Sequence, residues 1–265
     1  QPELPQNLVL HVSYLGSSGH KLPLGVNINQ ALPPSAQCVA TPSAPGCSVN
    51  ARRPFQGFGS ITGGFIESAG NSNYHGMTVR VERRFASGLS FLSSYAWSKS
   101  IDDGSGISTG SDSSGVAQNA RNLRAERAAS DYDVAHRWVL SYVYDLPFGK
   151  GKRIAPSSKV ADILVSGWQM TGILTMQTGR PFTVTVGRDQ SATGGNADRP
   201  NLVGDPKVSD PGPDRWFTPV AFAVPAAGAF GNAWRNILRG DGLHNFDVGV
   251  SRFFRVTERQ SFQFR

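Results

Sequence analysis

The segment Asp131-Tyr132-Asp133 followed by His136 places two carboxylates and an imidazole close together, and these are donor types that hold zinc or another divalent cation. On an extended chain Asp131 and Asp133 point to one face and His136 to the other, so the three do not converge locally. Polar residues at an external rim are the expectation. Asp102-Asp103, in a Gly/Ser-rich stretch, is a candidate for calcium. It lacks the spaced Asp/Asn ligands of calcium loops, and solvation is the expected role. Gly104-Ser105-Gly106 and Phe148-Gly149-Lys150-Gly151-Lys152 bear on phosphate binding only weakly, because neither joins a buried strand to a helix with the required glycine spacing. There is no Gly-x-Ser-x-Gly elbow, and the sequence fixes no acid–base pair. The expectation is a chain that is not an enzyme and has no catalytic, metal-binding or cofactor-binding residues.

Cys38 and Cys47 are the two cysteines, and they share one Pro/Ala/Ser-rich segment. With neither Cys-x-x-Cys spacing nor a neighbouring histidine, a loop-closing disulfide in an oxidising compartment is expected rather than a zinc site.

The elements around these residues have a period of two. Trp168, Met170, Leu174 and Met176 share one face of an extended segment, with Gln169, Thr171, Thr175 and Gln177 on the other. The same alternation sets Leu8, Leu10, Val12 and Tyr14 against His11 and Ser13. It sets Met77, Val79, Val81 and Phe85 against Thr78, Arg80, Glu82 and Arg84. Leu89, Phe91, Tyr95 and Trp97 oppose Ser90, Ser94 and Ser98. Trp138, Leu140, Tyr142 and Tyr144 oppose Val139, Ser141, Val143 and Asp145. Phe246, Val248, Val250 and Phe254 oppose Asn245, Asp247, Gly249 and Ser251. The strand at Trp168 is expected to extend past Pro181 into Phe182, Val184 and Val186, and a short helical turn is expected near Val160 to Leu164.

One oily and one polar face, repeated from strand to strand, describe a wall between lipid and an enclosed aqueous space. The expected fold is all-β, an antiparallel transmembrane β-barrel wall. It is partial, with about seven membrane strands, an extracellular β-arm and long external loops. No run of 18 apolar residues exists, which excludes a transmembrane helix and leaves a barrel untouched. Only 39% of the 265 residues are hydrophobic, and the 30 glycines and 17 prolines indicate much turn and loop.

Connections alternate short and long, as they do between periplasmic turns and external loops. Working back from the end, the turn at 255–258 is periplasmic, 187–242 external, 147–165 periplasmic, 99–131 external and 86–88 periplasmic. Everything between Leu15 and Tyr74 is then external. Segment 16–54 is read as loop, Phe58–Glu67 as the extracellular β-arm, and Gly70-Asn71-Ser72-Asn73 as a turn. Tyr95, Trp97 and Trp138 fall at the external interface, Tyr144 and Trp168 at the periplasmic one. The polar side chains Arg80, Glu82, Arg84, Arg137, Asp145, Gln169, Gln177 and Asp247 are expected to face the lumen. The formal charge of +7 is dispersed, which argues against a nucleic-acid partner and suits outer-membrane lipid and anionic lipopolysaccharide. No leader is visible before Gln1, and the alternating run Phe262-Gln263-Phe264-Arg265 has no terminating turn, so an internal piece of a longer protein is the expectation.

Several stretches carry a family likeness. Ser72-Asn73-Tyr74 through Arg83-Arg84-Phe85, then Gly88-Leu89-Ser90-Phe91 and Ser94-Tyr95-Ala96-Trp97-Ser98-Lys99-Ser100-Ile101-Asp102-Asp103, are the first. Arg121 to Arg127, Ser130 to Arg137, Leu140 to Arg153, Asp198 to Pro206, Arg215-Trp216-Phe217 and Asn236 to Gly240 follow. As a set they resemble the TonB-dependent receptor barrel of the Oar-like type, over nearly the whole of 1–265. The resemblance implies one partial barrel domain, part of a wall usually of about 22 strands around an N-terminal plug. It also implies coupling to the TonB system through a region absent from this sequence, and transport of an unidentified solute. Ligand choice is expected on the external loops 16–73, 99–131 and 187–242. An outer-membrane adhesin or scaffold that binds partners through its loops is the alternative.

Overall fold

The computed structural model describes residues 3–4, 7–61, 65–105, 117–149, 152–154, 158, 162, 165–195, 198–255 and 261–264. The strands are β1 (Glu3–Leu4), β2 (Leu8–Gly25), β3 (Ile66–Ala86), β4 (Leu89–Asp102), β5 (Ala128–Ala129), β6 (His136–Asp145) and β7 (Trp168–Gln177). They continue with β8 (Pro181–Phe182), β9 (Asn201–Leu202), β10 (Phe222–Ala223), β11 (Leu238–Arg239), β12 (Leu243–Arg255) and β13 (Ser261–Phe264). Nine of them form one antiparallel sheet in the order β1-β2-β3-β4-β6-β7-β12-β13, with β5 beside β4. Setting aside the two-residue β1 and β5 leaves seven, as the alternation requires. Chain neighbours are sheet neighbours throughout, which is the topology of an up-and-down wall. The sheet does not close on itself among the described residues.

Register turns the alternation into two surfaces, because residues directly opposite in an antiparallel pair share a face. Val12, Val79, Tyr95, Trp138, Met176 and His244 form one row across six strands. The next rows toward the short turns are Leu10, Val81, Ser93, Leu140, Leu174 and Phe246, then Leu8, Arg83, Phe91, Tyr142, Gly172 and Val248. On the opposite face lie His11, Arg80, Ser94, Val139, Thr175 and Asn245, then Val9, Glu82, Leu92, Ser141, Ile173 and Asp247. The apolar face is uncovered, with Val12, Tyr14, Phe246 and Val248 each at least half exposed. A continuous oily surface of this kind is stable against acyl chains and a liability in water. Arg83 interrupts it near a short turn, where its guanidinium bends to the Ala86 carbonyl (3.4 Å). Gly172 is covered by the Tyr142 ring, since a Cβ there would stand 2.7 Å from ring atoms.

β6 and β7, at 10 residues each, match one tilted crossing of a bilayer. β2 and β3, at 18 and 21 residues, exceed it. Their upper parts, above the level of Tyr14 and Met77, stand clear of the membrane as a two-stranded arm joined by β4. This corrects three sequence readings. Segment 16–25 is strand rather than loop, Gly70–Asn73 lies within β3 rather than in a turn, and irregular chain occupies 58–61 with β3 beginning only at Ile66. Above the bilayer neither face needs to be greasy, so Ser17, Ser18, His20 and Lys21 lose the alternation, while the backbone ladder is interrupted by a bulge at His20 and Lys21 and resumes at Leu22. Gly63 and Gly64 lie outside the described residues.

The turn at 86–88 is a two-residue hairpin, with Ser87 and Gly88 both left-handed (φ 52° and 81°) as the twist of the flanking strands demands. β4 runs on to Asp102, so the external loop begins at Asp103, not Lys99. The extension past Pro181 is not a continuation of β7. The chain breaks at 178–180, and β8 pairs with β11, since proline offers no N–H to a ladder. The helical turn near Val160 to Leu164 falls largely outside the described residues, although the Asp162 carbonyl accepts from Ser166 N as in a helix. The turn at 255–258 lies outside them beyond Arg255.

Candidate functional site

The polar face of the sheet encloses a trough of about 810 Å³. Among its lining residues are Arg80, Glu82, Arg84, Ser90, Thr171 and Asp247. Seven of the eight side chains expected in the lumen share this face by register, and the eighth, Arg84, lines the trough. Arg80 and Glu82 pair at 2.9 Å, both well exposed, and such a pair adds little stability. Asp145 accepts from Gln169 (2.9 Å) and faces Lys152 (3.6 Å), and Asp247 accepts from Asn245 (2.7 Å). The surface carries both signs and stays hydrated. Val9, Leu92, Val139 and Ile173 also stand on it, so it is polar in balance rather than uniformly.

The fully buried side chains lie mostly outside the wall, in the long loops, and they are chiefly polar. Glu126, Asn29, Thr193, Asp198, Ser130 and Ser191 are the largest of them. Segments 26–61, 117–135 and 178–242 converge into a cap seated on the inner side of the strand tops. Arg199 makes a two-pronged pair with Glu126 at 2.6 and 3.1 Å, both side chains almost completely buried. Arg235 reaches Asp102, the Glu126 carbonyl (3.0 Å), Ser105 Oγ (3.1 Å) and Asp131 (3.0 Å). Arg239 pairs with Asp133, whose carboxylate also accepts from Ser100 N (2.7 Å). Gln30 Nε2 reaches the Gln118 carbonyl (2.7 Å) and Thr193 Oγ1 (3.1 Å), which knits all three loops together.

The carboxylates that suggested metal chemistry are thereby accounted for. Segment 131–135 is turn and irregular chain rather than strand. Asp131 engages Arg235 and Asn236, Asp133 engages Arg239 and Ser100, and His136 engages Tyr95 (2.7 Å). Asp131 is partly exposed and His136 exposed, as expected at a rim, whereas Asp133 is buried. Asp102 and Asp103 are not solvated loop residues either. Asp102 is buried on Arg235, and Asp103 accepts from Asn71 (2.9 Å) and Arg127 (3.2 Å). Among the described residues no group of three His, Cys, Asp or Glu is placed to hold a metal ion.

Burial raises the Asp198 carboxyl above its ordinary value, opposed by hydrogen bonds from Ser191 and assisted by the nearby Asp189 charge. Cys38 and Cys47 are joined by a disulfide, with Cα atoms 5.0 Å apart, at the edge of the cap. A second hollow, of about 530 Å³, opens in the cap between Arg127, Lys207, Trp234 and Asn236, with Trp234 largely exposed. Sequence reading missed Arg199, Glu126, Arg235, Arg239 and Trp234. For Glu126, Arg199 and Arg239 the one visible signal was membership of the stretches that carry the family likeness, and Trp234 and Arg235 lie outside those stretches.

No curated protein and no solved structure matches the chain. The family profile described as outer membrane beta barrel domain matches residues 1–265. A sheet with one oily and one hydrated face and strands of bilayer length fits that description. The chain belongs to the outer membrane beta barrel domain family and is an outer-membrane protein.

Proposed function

We propose that this chain forms part of the wall and external cap of a TonB-dependent receptor of the Oar-like type, which transports a solute across the outer membrane. The observation that carries the reading is the cap itself. Loops bound through buried Arg199–Glu126 and Arg235–Asp102 pairs sit on the inner side of the strand tops, and a hydrated trough lies further along the same face toward the short turns. Opening such a cap separates charges held in a dry environment, which requires either ligand binding energy or work supplied from elsewhere. A TonB-coupled barrel obtains that work from the inner membrane. The motifs from Ser72 to Asp103 and from Arg121 to Arg153 support the same family. In this reading the segment performs no covalent chemistry, its wall meets outer-membrane lipid and lipopolysaccharide, nucleic acid is not a partner, and the solute is selected by the loops.

The test is site-specific cross-linking of the full-length protein to TonB in energised cells. An adduct that disappears when the proton gradient is collapsed supports the proposal. No adduct in energised cells, with the protein folded in the outer membrane, refutes it. An adhesin or scaffold then remains, a reading favoured by the exposed Trp234, Val220 and Phe58 on the cap.

A further inference from the structure

The cap buries the residues on either side of Trp234 and leaves the indole out. Ala233 donates its N–H to the Pro200 carbonyl (3.0 Å), Arg235 is held by Asp102 and Asp131, and both residues are buried. Trp234 between them is 62% exposed. Its ring borders the hollow of about 530 Å³, within the range of about 300–1,000 Å³ that small-molecule sites occupy. Leu202, Pro206 and Ile237 add apolar lining, and Asp205 and Lys207 add charged groups. The segment that carries the charges is as firmly held as the indole. Lys207 N–H donates to Asp205 Oδ1 (3.0 Å), Thr218 N–H to the Pro206 carbonyl (2.8 Å) and Thr218 Oγ1 to the Lys207 carbonyl (3.3 Å). A hollow whose walls are fixed beforehand loses little ordering entropy when a ligand enters.

The charges around the hollow cancel. Arg127 is paired with Asp103, and Arg235 with Asp102 and Asp131. That leaves one group of each sign, the exposed Lys207 ammonium and the exposed Asp205 carboxylate, and Lys207 forms no ion pair among the described residues. A cation or an anion would meet a like charge here. A hydrocarbon would strip water from both groups and give nothing in return. A hydroxyl group suits both, because it accepts from an ammonium and donates to a carboxylate. The indole adds a third demand, a flat apolar surface whose C–H groups meet the negative face of the ring. A sugar ring meets all three, with C–H groups on its faces and hydroxyls around its edge.

We propose that the hollow bordered by Trp234, Asp205 and Lys207 is a binding site for an uncharged glycan, one of whose rings stacks on the Trp234 indole while its hydroxyls bridge Asp205 and Lys207. Arg235 and Asn236, which also line the hollow, hold it in shape, since their side-chain groups are engaged by Asp102, Asp131, the Ala129 carbonyl and Thr183. That a bound glycan is then the transported solute rests on the receptor function proposed above, whereas binding itself does not.

The experiment uses full-length protein in a detergent without sugar groups, applied to an array of neutral oligosaccharides built from glucose, galactose, mannose, xylose and N-acetylglucosamine, with uronic-acid oligosaccharides beside them. At least one neutral member is expected to bind. Trp234→Ala removes an exposed side chain, so the barrel still folds, as heat-modifiable migration on a gel verifies, and its affinity for that member is expected to fall at least about tenfold. Trp234→Phe, which restores an aromatic face, is expected to recover most of the loss. Lys207→Ala is expected to cost about threefold to tenfold, the worth of one hydrogen bond. Val220→Ala removes an apolar side chain that is more exposed than Trp234 but lies outside the hollow, and is expected to bind like the wild type. The proposal is overturned if no neutral oligosaccharide binds, if only the uronic-acid members do, or if Trp234→Ala binds as the wild type does. It is overturned too if Val220→Ala weakens binding as much as Trp234→Ala. None of these readouts involves TonB, so a failed glycan site and a failed cross-link to TonB are told apart.

Discussion

Replacing Glu126 by alanine strands the Arg199 guanidinium in the cap. Arg199 would lose both carboxylate contacts, at 2.6 and 3.1 Å, and keep only the Ala125 carbonyl at 3.3 Å. Its Nε has no hydrogen-bond partner among the described residues even with Glu126 in place. Because both partners are almost fully buried, solvent does not compensate, and breaking such a pair from one side costs about 3–5 kcal/mol. Gln118 N also loses its acceptor, Glu126 Oε1 at 3.2 Å. Cap opening is read by limited proteolysis of the full-length protein in intact outer membranes, where only external loops are reachable. When opening and closing outpace cleavage, the cleavage rate follows the open population. The predicted cost corresponds to a rate increase of roughly a hundredfold to a few thousandfold, limited by the cap's own stability. The double variant Glu126→Leu/Arg199→Met removes both charges and is expected to regain most of the loss, since an apolar pair often replaces a buried ion pair at little cost. If Glu126→Ala were cleaved at the wild-type rate, or the double variant no more slowly than the single one, the buried pair would not be what holds the cap.

The two faces of the wall are tested at one strand. Leu174→Arg, in an outward row, is expected to destabilise folding into lipid vesicles by about 2–4 kcal/mol in urea titrations, and Thr175→Arg, facing the trough, by far less. Reducing the Cys38–Cys47 disulfide reopens a loop with a sequence separation of 9, worth roughly 2–3 kcal/mol to the local structure. Reductant should therefore speed proteolysis within 26–61 and leave the urea midpoint of the wall unchanged. Asp198 supplies a pH dependence of known sign. Its carboxyl is raised in the folded cap, so the folded state holds the proton more tightly than the unfolded chain. The contribution of Asp198 to cap stability is then largest on the acid side, declines as pH climbs from the ordinary carboxylate value to the raised one, and is flat above. Asp198→Asn is expected to abolish that slope in protease-resistance measurements across pH. An unchanged slope would remove Asp198 as its source.

The wall was legible in the amino-acid sequence because each strand encodes its own two faces. Trp168 to Gln177 declares an oily and a polar side by itself, and pairing with β6 and β12 only aligned rows that were already defined. The hairpin at 86–88 was equally local, since two left-handed positions are required wherever two residues must reverse the chain. The arm was not legible. Above the bilayer no solvent contrast imposes alternation, so Gly16–Gly25 and Ile66–Asn73 form a ladder without any periodic signature. The cap lay further still beyond reach. Arg199 meets Glu126 from 73 residues away, and Arg235 meets Asp102 from 133 away. Irregular segments carry no period to reveal which charge will meet which. Only the packing of three loops onto the strand tops decided that Asp102, Asp131 and Asp133 hold arginines rather than water or a metal, because burying a carboxylate demands a partner and the nearest cations came from another loop.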